Sequence, residues 1–372
     1  MRSGGPIKAI TDLSMNSINL GLHSEVIGPG PFSLPETEFP FPRDLVHVMP
    51  NPHLGTYGYC SGYRSWFRSN LRRFDGVVLH GMWNYGNLIA HQECLSMGIP
   101  YAWFPHGMLD PYCMNNGLWK TAKKRVYWFL FEHRVCSRAR AVFFTTSREL
   151  TNTKGALSAI QGLRRVVVPY GISGSPSFAG WSPNPLFNEF VNGKYCLFLG
   201  RLDPIKNIEF LLKCWQGAGI DSKWHLVIAG AGDEGYVNSL HRLVRDRQIG
   251  DRVHFVNHVY GQDKSFLLGH AQWFLLPSSH ENFGIAVLEA IKERCPVVIS
   301  DQVYLADNLP SSAQVLPLTE DAWVRFFKDK LDDDALRASA AEDLHRHVSG
   351  DFDMERISRK WVECLTGLFR ET

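Results

Sequence analysis

Ser278-Ser-His-Glu-Asn-Phe-Gly-Ile-Ala-Val-Leu-Glu289 decides the reading of this chain, because its carboxylates Glu281 and Glu289 stand eight apart across a strand-to-helix junction. The apolar run Trp273-Phe-Leu-Leu276 ends at Pro277, and Gly284 permits a close turn into the helix formers Ala286 to Ile291. The pattern predicts a helix beginning near Phe283. The first amides of a helix lack intrahelical partners and carry the positive end of the macrodipole, so they suit a diphosphate. Glu281 lies just before that end and Glu289 about two turns inside it. The pair is placed to grip a ligand on both sides of its phosphates, one carboxylate on a sugar and the other on a ribose diol. A capped surface helix with two solvated glutamates would show the same residues, so the surrounding chain has to discriminate.

Outward from this stretch, short β-rich runs alternate with helical patterns. Before it come Cys196 to Leu199, His225 to Ile228, Val253 to Val256 and Trp273 to Leu276, and Pro296 to Ile299 follows. The same rhythm runs earlier through Glu25 to Gly28, Leu45 to Val48, Val77 to His80, Tyr101 to Phe104, Ala141 to Phe144 and Arg165 to Val168. Helix-length segments such as Gly86 to Ser96 and Leu118 to Arg138 lie between. This order predicts an α/β protein with parallel sheets covered by helices. Pro169 to Pro185, rich in Pro, Gly and Ser, reads as a linker between two α/β units. A ligand is expected in a cleft between them, at the carboxyl ends of the strands. Phe352, Ile357, Trp361, Leu365 and Leu368 recur at helical spacing and predict a terminal helix packed on the body.

The length of 372 residues suffices for two domains with separate cores, and 45% hydrophobic and 20% charged residues describe a globular chain. A formal net charge of +2 gives no reason to expect a nucleic-acid partner. No stretch is long and apolar enough for a membrane span, and Met1 to Pro6 carries no signal-peptide pattern, so a cytoplasmic location is expected. The eight cysteines form no C-x-x-C pair, which argues against zinc and against a disulfide framework.

The second unit opens with Gly200-Arg-Leu-Asp-Pro-Ile-Lys-Asn207 at a strand end. Arg201 offers a planar fork and Lys206 a point charge, and together they can balance a departing diphosphate. Gly230-Ala-Gly232 follows a strand and lets a flat group approach the backbone. In the first unit His106, in Phe104-Pro-His-Gly107, and His80 both follow strands, and either can contact a sugar or share a developing proton. A structural histidine fits the same positions. Trp119 to Arg140 interleaves Lys120, Lys123, Lys124, Arg125, Arg134, Arg138 and Arg140 with Trp128, Phe129 and Phe131. It reads as a core helix with a solvated basic face, or as a helix in peripheral contact with an anionic membrane. Asp351-Phe-Asp353 reads as a helix cap rather than a metal motif, and Asp332 to Asp334 as a helix-start device.

G-R-L-D-P-I-K-N, A-G-A-G-D and H-E-N-F-G-I-A-V-L-E together resemble glycosyltransferase family 4, retaining enzymes of GT-B architecture. The likeness is specific over about Tyr195 to Ser300 and looser before it, where G-G-P at 4–6, H-G-M at 106–108 and P-Y-G-I at 169–172 fit. The resemblance implies two Rossmann-like domains, 1–172 on the acceptor side and 173–350 binding the nucleotide sugar, with 351–372 crossing back to the first. It implies that Arg201 and Lys206 hold the diphosphate, that Glu289 holds the ribose, and that Glu281 with the Asn282, Phe283, Gly284 and Ile285 backbone holds the donor sugar and phosphates. His106 would contact that sugar near the reacting carbon. Gly4, Gly5, Gly200, Gly230, Gly232 and Val256 would complete the nucleotide-sugar site, with base contacts made largely by backbone. The implied chemistry is hexosyl transfer from a nucleoside-diphosphate sugar to a hydroxyl of a glycan or lipid-linked acceptor, with retention, no essential metal and no cofactor beyond the sugar nucleotide. Cell-surface polysaccharide synthesis is the expected setting.

Two departures stand out. Family members begin with an apolar strand leading into the glycine-rich loop, whereas Gly4-Gly-Pro6 follows Met1 almost directly, so the first domain is expected to lack its first strand. Tyr170 stands where the family commonly has Asn. A sugar-nucleotide epimerase or synthase of the same fold, or a non-catalytic binding protein, remain the rival readings.

Overall fold

The computed structural model describes residues 5–30, 41–50, 52–114, 118–153, 160 and 162–370. The chain divides into two compact units, 1–171 with 354–372, and 172–353.

In the first unit α1 (Gly5–Ile18) precedes β1 (Val26–Pro29) and β2 (Val46–Met49), which pair in parallel as a separate two-stranded sheet. Then come α2 (Gly62–Asn70), β3 (Val77–His80), α3 (Tyr85–Met97), β4 (Tyr101–Phe104), α4 (Pro111–Met114), α5 (Leu118–Tyr127), a π turn (Trp128–Glu132), α6 (His133–Ser137), β5 (Ala141–Phe144), α7 (Ser147–Thr153) and β6 (Arg164–Val167). Strands β3 to β6 form a parallel sheet in that order. Val-, Phe- and Trp-rich β4 and β5 are buried along their whole length, as strands covered on both faces must be. Strands β1 and β3 each end a sheet. Accordingly Val77, Val78 and His80 of β3 are only half-buried.

In the second unit β7 (Lys194–Leu199), α8 (Ile208–Gly217), β8 (Trp224–Ala229), α9 (Glu234–Asp246), β9 (Val253–Val256), α10 (Gly261–His270), β10 (Trp273–Leu276), α11 (Ile285–Lys292), β11 (Val297–Ser300) and β12 (Gln314–Leu316) alternate, followed by α12 (Glu320–Asp329) and α13 (Asp334–Asp351). Their parallel sheet has the order β12-β11-β10-β7-β8-β9. Strand order reverses at β7, which lies between β10 and β8, so the carboxyl ends of these strands make the crevice typical of a doubly wound sheet.

Helix α14 (Met354–Arg370) belongs to the first unit. Ile357, Trp361, Leu365 and Leu368 are buried, and Trp361 packs on Phe104 and Phe143 with ring centroids 6.2 and 4.8 Å away. Gly171 is required there, since a Cβ would lie 2.9 Å from the Met354 backbone.

Several boundaries differ from expectation. The helix after the signature stretch begins at Ile285, not near Phe283, because Gly284 (φ 82°) takes the left-handed cap position. Glu289 therefore stands little more than one turn inside it. Asp351 ends α13 instead of opening the terminal helix. Asp333 caps α13 by accepting from the Leu336 amide, the helix-start role read for that acidic run. All eight cysteines are free.

Candidate active site

In the second unit the local chemistry of each loop explains how the candidate residues meet. Asp203 caps a single turn, Pro204–Lys206, by accepting from the Ile205 amide at 3.2 Å. The Ile205 carbonyl accepts from the Ser279 amide (2.9 Å) and hydroxyl (3.0 Å), which ties the Gly200 to Asn207 loop to the loop carrying Glu281. Lys206 Nζ consequently donates to Glu281 Oε2, both side chains being largely buried. The Glu281 backbone is held in turn by Gln302 and Tyr304, at 3.1 and 2.9 Å. Arg201 remains mostly exposed, 3.4 Å from Asp203 Oδ2, and is available to an incoming anion.

Glu289 faces inward from α11, where Oε1 accepts from Lys264 Nζ at 2.8 Å. Lys264, on α10, joins the candidate site through this bond and was not named in the sequence reading. Its partner lies 25 residues away on another helix, so no local spacing marks it. Phe283 turns its ring into the core against Phe352, leaving only its backbone for a ligand. Asn282, Gly284 and Ile285 complete the approach to α11, whose first amides point outward from the helix start.

The two glycine turns form one backbone platform. The Gly200 amide donates to Ala229, the Leu202 amide to Ala231, and the Gly230 amide to Val256, each at 2.9–3.0 Å. A Cβ on Gly230 would lie 1.8 Å from the Gly200 carbonyl oxygen, and one on Gly232 1.9 Å from that of Leu202. These glycines are thus demanded first by the neighbouring chain, and the flat surface they leave is the consequence.

In the first unit Gly4 lies outside the described residues, and Gly5 is the first residue of α1. His106 follows β4 with a left-handed backbone (φ 53°), a conformation costly for a residue with a Cβ and typical of functional turns. Buried Glu149 holds that turn by accepting from the Gly107 amide at 2.7 Å, and it also accepts from the Thr145 amide and hydroxyl. The His106 ring stacks on Phe104 at 4.1 Å. Its Nε2 lies 2.9 Å from His80 Nδ1, and its Nδ1 lies 2.6 Å from the Tyr170 hydroxyl. Burial lowers the His80 pKa to about 4, and burial together with His80 lowers that of His106 well below the usual imidazole value, so both rings are neutral near pH 7.

The basic helix of the first unit keeps Lys123, Arg125, Arg134 and Arg138 exposed. Val126, Phe129 and Leu130 are exposed beside them, Phe129 by 80%. Among the described residues no cluster of metal-ligating side chains occurs, and no helix is long and apolar enough to cross a membrane.

A family model described as glycosyl transferase 4-like domain matches residues 4–171, and one described as glycosyl transferases group 1 matches 187–314. The chain is 25% identical over 292 residues to a GDP-mannose:cellobiosyl-diphosphopolyprenol alpha-mannosyltransferase of Xanthomonas oryzae, covering 77% of this chain and 69% of that one. It is 28% identical over 148 residues to the O-antigen chain mannosyltransferase B of Escherichia coli, an alignment spanning 39% of each. Among solved structures, Anabaena HepE in complex with UDP and glucose superposes with a TM-score of 0.74 at 16% identity, covering 99% of this chain and 98% of that one. A sucrose-phosphate synthase of Thermosynechococcus elongatus superposes with a TM-score of 0.75 at 16% identity, covering 100% and 95%. With one glycosyltransferase model on each unit and this fold across the whole length, the chain belongs to the family 4-like glycosyltransferases of GT-B architecture.

Proposed function

We propose that the protein transfers a hexosyl group from a nucleoside-diphosphate sugar to a hydroxyl of a glycan or lipid-linked acceptor, with retention of anomeric configuration, in cell-surface polysaccharide synthesis. The observation that carries this reading is that, at the carboxyl ends of β7 and β10 in the second unit, the loop carrying Arg201 and Lys206 is bonded to the loop carrying Glu281, just before α11, the helix that carries Glu289. Two cations and a helix amino terminus supply the positive field a departing diphosphate needs, and this arrangement requires no metal. Glu289 takes the ribose diol, and Glu281 takes donor-sugar hydroxyls. The mannosyltransferases among the relatives make GDP-mannose the first donor to try.

In the step we favour, the bond from the anomeric carbon to the phosphate oxygen breaks as the acceptor oxygen bonds that carbon on the same face. The acceptor proton passes to the departing phosphate. Trapping a glycosyl-enzyme adduct would contradict this order. Val126, Phe129 and Leu130 within a basic border suit an anionic bilayer, so we place the enzyme in the cytoplasm, peripheral to the membrane. Cosedimentation with anionic but not neutral vesicles, lost in Phe129→Glu, is expected.

The test is product analysis with GDP-, UDP-, ADP- and dTDP-sugars, with and without acceptor and with chelator present. Transfer that survives chelation supports the reading, whereas an epimerised donor formed without acceptor would replace it with the epimerase.

A further inference from the structure

In sequence, Pro169 to Pro185 reads as a linker, but the second half of this stretch and the residues after it fold onto one helix of the second unit. Asn184 caps the single turn Pro185–Glu189 by accepting from the Leu186 amide at 3.1 Å, and Phe187 of that turn is fully buried. Phe187 stacks on Phe266 of α10 with centroids 6.2 Å apart, and the Trp181 ring lies 5.2 Å from the same Phe266. Phe178 packs edge-on against Trp181 at 5.3 Å, while Gln262 Nε2 donates to the Ser177 carbonyl at 3.3 Å. Residues 177–187 therefore lie along α10 as a strap, touching it at Gln262 and Phe266, about one turn apart.

Lys264 stands between those two positions. At about 100° per residue it is turned about 200° from both, so it leaves α10 on the side away from the strap. There Lys264 Nζ donates to Glu289 Oε1 at 2.8 Å, and α10 packs against α11. Both charged side chains are largely buried. Leu267 and Leu268 bury the inner face of α10, so the helix is held by its core face, by the strap and by this ion pair. Trp181 and Phe266 are each half-buried, and part of the cover of each is the other ring. A shift of α10 by about 1 Å would stretch the Lys264–Glu289 bond beyond the hydrogen-bond range.

We propose that Trp181 is a positioning residue for the nucleotide site: by bearing on Phe266 it sets the place of α10, and so of Lys264, which orients the Glu289 carboxylate toward the ribose diol. This role rests on the reading above, in which Glu289 takes the ribose. The stretch that reads as a spacer then supports nucleotide binding within the second unit.

Calorimetry of the full-length protein with GDP, UDP, ADP and dTDP, together with hydrogen exchange of the α10 amides, tests the strap and the nucleotide reading separately. Trp181→Ala should speed exchange over 261–270 while leaving β7 and β8 protected, and should raise the Kd of the nucleotide bound most tightly about threefold. Donor KM should rise with kcat changed less than about twofold, as for a loss of binding shared by ground and transition states. Trp181→Phe, which keeps a ring against Phe266, should restore most of these losses. In a Lys264→Ala background Trp181→Ala should raise Kd no further, because its effect runs through that lysine. Unchanged exchange in α10, faster exchange spread over the whole second unit, or losses that multiply in the double variant would each overturn the proposal. A wild type that binds none of the four diphosphates would sink the nucleotide reading and this role with it, whereas nucleotide binding that Trp181→Ala leaves intact would sink the role alone.

Discussion

Both candidate carboxylates of the second unit already hold a lysine: Glu281 with Lys206, and Glu289 with Lys264. Half of this was legible in sequence, because Lys206 and Glu281 sit in compact strand-end motifs whose chemistry can be read locally. Lys264 and Glu149 were not legible, since each stands within a helix, α10 and α7, outside the strand-end motifs. Removing a charge that meets the diphosphate should weaken nucleotide binding more than one that only orients a carboxylate. Lys206→Ala is expected to raise the Kd for the nucleoside diphosphate about tenfold or more, and Lys264→Ala only a few-fold, as read by calorimetry. Glu132 offers a separate check. Burial lifts its pKa from 4.5 to about 7, against the opposing bond from the Trp83 amide. The folded state therefore holds a proton that the unfolded chain has already lost, and its contribution, full below about pH 4.5, is lost as pH rises through about 7. Denaturant midpoints of the wild type should accordingly fall between about pH 4.5 and 7 more steeply than those of Glu132→Gln and run parallel to them at alkaline pH, and parallel slopes across the acidic window would refute the assignment.

At the scale of elements, strands announced themselves through runs of Val, Ile, Phe and Trp, and β3, β4, β5, β9 and β10 begin and end where the sequence placed them. The three-residue edge strand β12 offered too short a pattern. The π turn at Trp128–Glu132 was equally hidden, because one widened turn leaves the surrounding helical period intact. The start of α11 was misjudged by two residues because Gly284 permits both a helical and a left-handed backbone, and packing of the loop selects the latter. The paired glycine turns give the sharpest prediction for an element. Gly230→Ala would force a methyl to within 1.8 Å of the Gly200 carbonyl, so one strand end must move. A loss of ~2 kcal/mol or more in unfolding free energy is expected, together with weakened nucleotide binding. A variant with wild-type stability would show that the two turns are not packed as described.

For the whole molecule, the repeated alternation of strand and helix made two α/β units readable, and the second unit's six-stranded sheet accounts for a candidate site assembled at successive strand ends. The first unit is less regular: its strands lie in separate two- and four-stranded sheets, and half-buried apolar residues remain on β3. The first unit's strand-end surface was less legible than the second's because long-range contacts, such as Tyr170 with His106, build it. The central claim, that the second unit grips a nucleoside-diphosphate sugar through Lys206, Glu281 and Glu289, is tested most directly by thermal stability across a panel of sugar nucleotides. One nucleotide sugar at ~100 times its dissociation constant should add ~2.7 kcal/mol to the wild type and far less to Glu281→Ala or Lys206→Ala. A wild-type melting curve unmoved by every nucleotide sugar, or moved equally in all three proteins, would contradict the account.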